Sequence, residues 1–155
     1  MSVFQADHCS PIAAAGSVGN VHVAVYRGAL TTDELWAVHH AHLALLERHP
    51  TSAVLSVAEQ GTPLPGAEVR ELAGRFGDEV ADRVRCSCQV ILGDGFWASA
   101  ARSLITAMLF IRTGKYPVRI CSDVVEAVEF VAATNRGGPT PMELSRAIAA
   151  LRESR

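Results

Sequence analysis

From Asn20 to Arg27 the chain alternates, with Val21, Val23 and Val25 on one side and His22, Ala24 and Tyr26 on the other, the period of two that marks a β-strand. The preceding Pro11 to Ala15, joined through the turn-like Gly16-Ser17-Val18-Gly19-Asn20, predict a shorter strand that completes a hairpin. The period then lengthens to that of a helix. Thr31 and Glu34 read as a capping box, the threonine accepting from the Glu34 amide while Glu34 reaches back, and the helix runs to about Arg48, where Pro50 stops it. Its core stripe is Leu35, Val38, His42, Leu45 and Leu46.

Ala53 to Ala58 is an apolar run of strand length, and Gly61-Thr62-Pro63-Leu64-Pro65 is a stiff turn into a second helix. Val69, Leu72, Ala73, Phe76, Val80 and Val84 recur at helical spacing among charged residues, so this helix packs by one face. Cys86 to Leu92 predicts a buried strand, Trp97 to Arg112 a third helix, and Pro117 to Cys121 a last strand. Ser122 or Asp123 caps a fourth helix that reaches about Thr134. After the linker Asn135-Arg136-Gly137-Gly138-Pro139, Thr140-Pro141-Met142-Glu143 forms another capping box, opening a helix with Leu144, Ala147, Ile148 and Leu151 in one stripe.

This order predicts an α/β fold: a mixed five-stranded sheet with an opening hairpin, four crossover or packing helices, and an appended C-terminal helix. We expect one domain over residues 1–135, with the linker and helix of residues 136–155 packed on it. The chain has 155 residues, long enough to bury a core without disulfides or metals. At 49% hydrophobic and 19% charged it is not of disordered composition, and a formal charge of -2 gives no attraction to nucleic acid. Arg70, Arg75, Arg83 and Arg85 interleave with Glu68, Glu71, Asp78, Glu79 and Asp82, as on a solvated helix face. Residues 1–10 lack the pattern of a signal peptide, and the apolar run Leu104 to Ile111 is too short to span a bilayer, so a cytoplasmic protein is expected.

Local motifs for chemistry are sparse. Gly93-Asp94-Gly95 follows a strand, but the third glycine of a dinucleotide fingerprint is replaced by Ala98 and no Walker lysine follows, so no nucleotide cofactor is predicted. His39 and His42 stand three apart on the first helix without a matching carboxylate or cysteine, so no metal is expected; His42 reads as a partly buried imidazole and His39, His40 and His49 as surface groups. Cys9, Cys86, Cys88 and Cys121 contain no Cys-x-x-Cys pair and read as buried thiols. Cys121 is the best placed nucleophile, just before a helix N-terminus that would favour its thiolate, but Ala127 stands where a phosphatase needs arginine. A G-x-S-x-G elbow is absent, and the expected protein is not an enzyme unless groups such as His42 and Cys121 converge in space.

The order of elements, the string Gly95-Phe96-Trp97-Ala98-Ser99-Ala100-Ala101-Arg102-Ser103, the run Tyr116-Pro117-Val118-Arg119 and the capped helix after the last strand together resemble the STAS superfamily of anti-sigma-factor antagonists. The resemblance covers roughly Ser10 to Asn135 and is closest to bacterial single-domain STAS-like proteins of unassigned function. It implies a regulatory module that binds a protein or a ligand. Antagonists of that superfamily carry a phosphorylated serine or threonine, usually after an aspartate, at the start of the helix following the third strand. In this chain Thr62 is the only hydroxyl of the corresponding loop, no aspartate precedes it, and the two prolines that follow it stiffen the turn.

The third helix carries the strongest remaining signal. Ser99, Arg102, Ser103 and Thr106 trace one narrow polar stripe, whereas Leu104, Ile105, Met108, Leu109, Phe110 and Ile111 spread over the rest, more apolar surface than a helix on one side of a sheet requires. Either neighbouring helices and the C-terminal helix cover it, or the surplus forms a contact surface. The second case predicts a regulatory protein-binding module without a membrane span that engages a protein partner or a second copy of itself through Phe96, Trp97, Leu104, Met108 and Phe110, with Thr62 and Ser99 as candidate phosphoswitch hydroxyls. The alternative is a carrier for a small lipophilic ligand, with an apolar pocket beside the third helix.

Overall fold

The computed structural model describes residues 1–110 and 115–154, with side chains for all of these except Phe110. The predicted end of the third helix at Ile111 and Arg112 lies outside the described residues. The sheet has six strands in chain order: β1 (Phe4–Cys9), β2 (Ala13–Val18), β3 (Val21–Tyr26), β4 (Ser52–Ala58), β5 (Val84–Ile91) and β6 (Val118–Cys121). The first three pair antiparallel and the last four parallel, β3 serving in both sets. The helices are α1 (Thr32–Arg48), α2 (Ala67–Val80), α3 (Gly95–Phe110), α4 (Val124–Thr134) and α5 (Pro141–Glu153).

The five-strand expectation is corrected to six because β1 carries no apolar alternation. It is an edge strand whose residues are mostly exposed, interrupted by a bulge between Ala6 and His8. Its presence also moves the hairpin turn. Gly16, expected in the turn, lies inside β2, where an added Cβ would collide with the Gln5 carbonyl of β1; Gly19, at φ +55, makes the actual turn. Val84, expected on the second helix, instead opens β5 after a short 3-10 turn, Ala81–Arg83.

Sequential parallel strands joined by right-handed crossovers put all their connecting helices on one face. Here α1, α2 and α3 lie on that face, while α4 and α5 pack against each other on the opposite one, α5 across β1 to β3 and α4 across β4 to β6. The two faces differ in chemistry. Under α4 and α5 the sheet presents Val21, Val23, Val25, Leu55, Val57, Cys86, Cys88 and Val90, all fully buried, against Val128, Val131, Leu144, Ile148 and Leu151. Under α1 to α3 the register aligns Ser17 with His22, Ala24 with Ser56, and Ser56 with Gln89. One face is a dry core; the other is partly polar.

Helix ends follow local chemistry. Asp123 accepts from the Glu126 amide at 2.8 Å, and Thr140 with Glu143 forms the reciprocal capping box. At α1 Thr31 accepts from the Glu34 amide at 3.2 Å, but the Glu34 carboxylate does not reach back. It bonds His8 of β1 at 2.7 Å instead, an acceptor claimed by the strand that the hydrophobic pattern did not reveal.

Candidate functional site

The Gly93 to Ser99 junction sets the position of α3. Gly93 and Gly95 take positive φ values of 100° and 75°, turning the chain sharply off the end of β5, and a side chain at Gly93 would strike Gln60. Arg102 then donates from Nη2 to the carbonyls of Ile91 and Gly93 at 3.3 and 3.2 Å, and the Trp97 indole donates to the Thr62 carbonyl at 2.8 Å. These bonds anchor the first half of α3. Its fully buried residues are Ala98 and Ala101, whereas Leu104, Ile105, Met108 and Leu109 are only half-buried.

α3 meets the sheet through the small Ala98 and Ala101, whose missing bulk leaves a cavity of ≈ 180 Å³ beside its larger side chains. Its floor is the polar face of the sheet, Tyr26, Ser56, Ala58, Gln89 and Ile91; its walls are Leu35 of α1, Val69 and Ala73 of α2, and Trp97, Leu104, Ile105 and Met108 of α3. Thr62, Pro63, Leu64, Pro65 and Arg70 form the rim, where Pro63 and Leu64 are exposed. The phenol of Tyr26 and the hydroxyl of Ser56 make no hydrogen bond to any described residue, and burial pushes the phenol up to about 12, so it stays a donor at neutral pH. Gln89 uses Nε2 on Ser87 at 3.1 Å, which leaves its carbonyl oxygen as an acceptor. Arg70 donates Nη1 to the Pro65 carbonyl at 2.7 Å and pairs with no carboxylate among the described residues.

The sequence-predicted residues divide. Thr62, Trp97, Leu104 and Met108 meet at this cavity; Phe96 points away, 90% exposed, Ser99 is exposed on α3, and the Phe110 side chain lies outside the described residues. Thr62 is buried, its hydroxyl donating to the Glu59 carbonyl at 2.7 Å and placed 3.1 Å from that of Tyr26, so it braces the rim. The C-terminal helix α5 does not cover α3, because it sits on the other face of the sheet. Tyr26, Ser56, Gln89 and Arg70 were not foreseen; the polar alternation in β3 was the available signal, and it continues in Ser52, Ser56, Ser87 and Gln89.

The groups with acid–base or nucleophilic potential lie elsewhere. His42 is buried, stacked on His22 with ring centroids 4.6 Å apart, and its Nε2 is 2.8 Å from the Ser52 hydroxyl. Burial, with the neighbouring His39 and Arg83, lowers it to about 4, and burial lowers His22 as well. The expectation that His39 is a surface group is corrected: it is 5% exposed, stacked on Phe76 at 3.8 Å and bonded to Glu79 at 3.0 Å. Cys121 is likewise corrected, since burial raises its thiol and Cys88 Sγ lies 3.3 Å away; a helix N-terminus does not compensate for the loss of water. Cys9, expected buried, is exposed on β1. His42 and Cys121 fall on opposite faces of the sheet and form no common site.

Among the described residues no group of three histidine, cysteine or acidic side chains could hold a metal. A larger open depression of ≈ 540 Å³ is bordered by Arg27, Glu59 and Arg152, but Arg152 is paired with Glu59 at 2.6 Å and Arg27 donates to the Ser10 and Leu151 carbonyls, so its cations are already committed. No described helix is long and apolar enough to cross a membrane. Compared with known proteins, the chain matches no protein-family model and no curated protein.

Proposed function

We propose that this protein is a non-enzymatic binding module whose cavity beneath α3 takes a small, mainly apolar ligand. The observation that carries this reading is an apolar enclosure with a few unpaired polar groups on its floor, the composition of a ligand site rather than a packing fault. An engineered cavity of about 150 Å³ takes up benzene, so ≈ 180 Å³ suits one ring or a chain of similar bulk. Among the described residues the lining includes no carboxylate, histidine or thiol, so these offer no group poised for proton transfer at neutral pH. The STAS resemblance, carried by the order of elements, supports a binding role and suggests a regulatory one.

A protein-facing surface is the second reading, favoured by the exposure of two large apolar side chains, Phe96 at the start of α3 and Leu64 of the rim. Partner or self-association through this edge and occupancy of the cavity are compatible, since both involve α3 and the loop before α2. Ser99 is the accessible one of the two candidate switch hydroxyls. The test is titration with ethylbenzene, followed by Trp97 emission in a Trp36→Phe background. A saturable spectral change supports the cavity reading; the absence of any change up to ligand solubility overturns it.

A further inference from the structure

The polar groups of the cavity are placed at two levels, and their chemistry narrows what it would hold; this step rests on the cavity being a ligand site. We propose that the ligand is a small amphipathic acid, with a carboxylate on Arg70 at the rim, an apolar body among Val69, Leu104 and Ile105, and a hydroxyl on the Ser56 and Gln89 floor.

At the rim, Arg70 is fixed by a single bond to Pro65, which leaves Nε and Nη2 without an acceptor among the described residues. A guanidinium held in place beside an apolar cavity is suited to a carboxylate, because its fork accommodates both oxygens and its orientation is already set. The nearby acidic residues do not compete: Glu59 is taken by Arg152, and no ion pair joins Arg70 to Glu68 or Glu71. On the floor, Ser56 and Gln89 face each other across β4 and β5, and no described residue bonds the Ser56 hydroxyl or the Gln89 carbonyl oxygen. A wholly apolar ligand would cover these groups and the Tyr26 phenol without replacing their bonds to water, whereas a ligand hydroxyl can donate to Gln89 and accept from Ser56 or Tyr26. The bulk between the two levels is that of one ring, as the cavity volume requires.

Calorimetric titration of the intact chain with four related compounds separates the contributions: ethylbenzene, 4-ethylphenol, 3-phenylpropionate and 3-(4-hydroxyphenyl)propionate. Each polar end should tighten binding by about ten-fold over the parent, in line with one charge-assisted or neutral hydrogen bond gained. Arg70→Gln should remove the gain from the carboxylate and leave 4-ethylphenol unchanged, and Ser56→Ala should remove the gain from the hydroxyl alone. The wild-type comparison stands even if a variant fails to fold. If ethylbenzene binds and the acids bind no more tightly, the inferred ligand class is wrong while the cavity reading survives. If none of the four binds, both are wrong.

Discussion

Replacing Ala73 with leucine tests whether the space beneath α3 is an empty, ligand-sized cavity. Ala73 is on α2, is partly buried and lines the cavity, and leucine is nearly as good a helix former as alanine. The change adds three carbons. At about 0.8 kcal/mol for each buried CH₂, filling the cavity would contribute about 2.4 kcal/mol, and ordering a leucine side chain offsets about 0.5–1 kcal/mol of that. The expected net is a stabilisation of about 1–2 kcal/mol, or a rise in Tm of roughly 2–8 °C for a chain of this size.

Urea unfolding with an unchanged m-value is the appropriate assay, paired with the ethylbenzene titration, because the variant should become more stable and lose ligand binding together. The sign is what discriminates. In a tightly packed site the same added carbons force rotamer and backbone shifts that cost about 1–3 kcal/mol. A destabilised variant would refute the claim that the space is empty. A stabilised variant that still binds the probe would place the ligand elsewhere.

Acidification should destabilise the fold through His42. Its native pKa of about 4 lies below the unfolded value of 6.5, so the unfolded chain gains its proton first, and stability that is complete above pH 6.5 falls by about 3 kcal/mol toward pH 4. His22 acts in the same direction, and His42→Asn should flatten the slope of unfolding free energy against pH; an unchanged slope would remove His42 as its source. Of the four thiols, Cys9 alone should react promptly with a thiol reagent in the native state, the other three only on unfolding, and rapid labelling of Cys121 would contradict its burial. Thr62→Val should cost about 1 kcal/mol by removing the one hydroxyl proton shared between the Glu59 and Tyr26 carbonyls, each of which keeps a backbone N–H donor, and should shift Trp97 emission through the shared rim. A variant with native stability and spectrum would show that Thr62 does not brace the site.

Most of the fold was legible because its elements obey the period of their own apolar residues. Val21, Val23 and Val25 marked β3, and the stripe of Leu144, Ala147, Ile148 and Leu151 marked α5, since each buries one side against the same dry core. What failed was information held between segments. Phe4 to Cys9 is recognisable as a strand only through its pairing with β2, and the same pairing explains why Gly16 is a close-packing residue and not a turn. His39 looked solvated because it lies outside the stripe of Leu35, Val38, His42, Leu45 and Leu46, yet Phe76, 37 positions away, covers its ring. The excess apolar surface of α3 drew attention to Trp97, Leu104 and Met108, which line the cavity, whereas Arg70 looked like one charge among many until the fold placed it at the rim.

The division of labour between the two faces explains how such a cavity persists. A void lined by side chains costs stability, and a marginally stable domain can carry one only if its core is secured elsewhere. Here the α4 and α5 face supplies that security, with fully buried valines, leucines and cysteines and a capped α5 closing it. On the other face α3 is held chiefly at its first half, by Arg102 and Trp97, and its larger apolar residues overhang the sheet without completing a core. Changes at Leu104 or Met108 should therefore alter what the cavity accepts at little cost to folding, whereas truncating Leu55 or Leu144 to alanine should cost about 2–5 kcal/mol and leave the cavity's own side chains in place. That separation is what a fold needs if the binding face is to be retuned while the structural face stays constant.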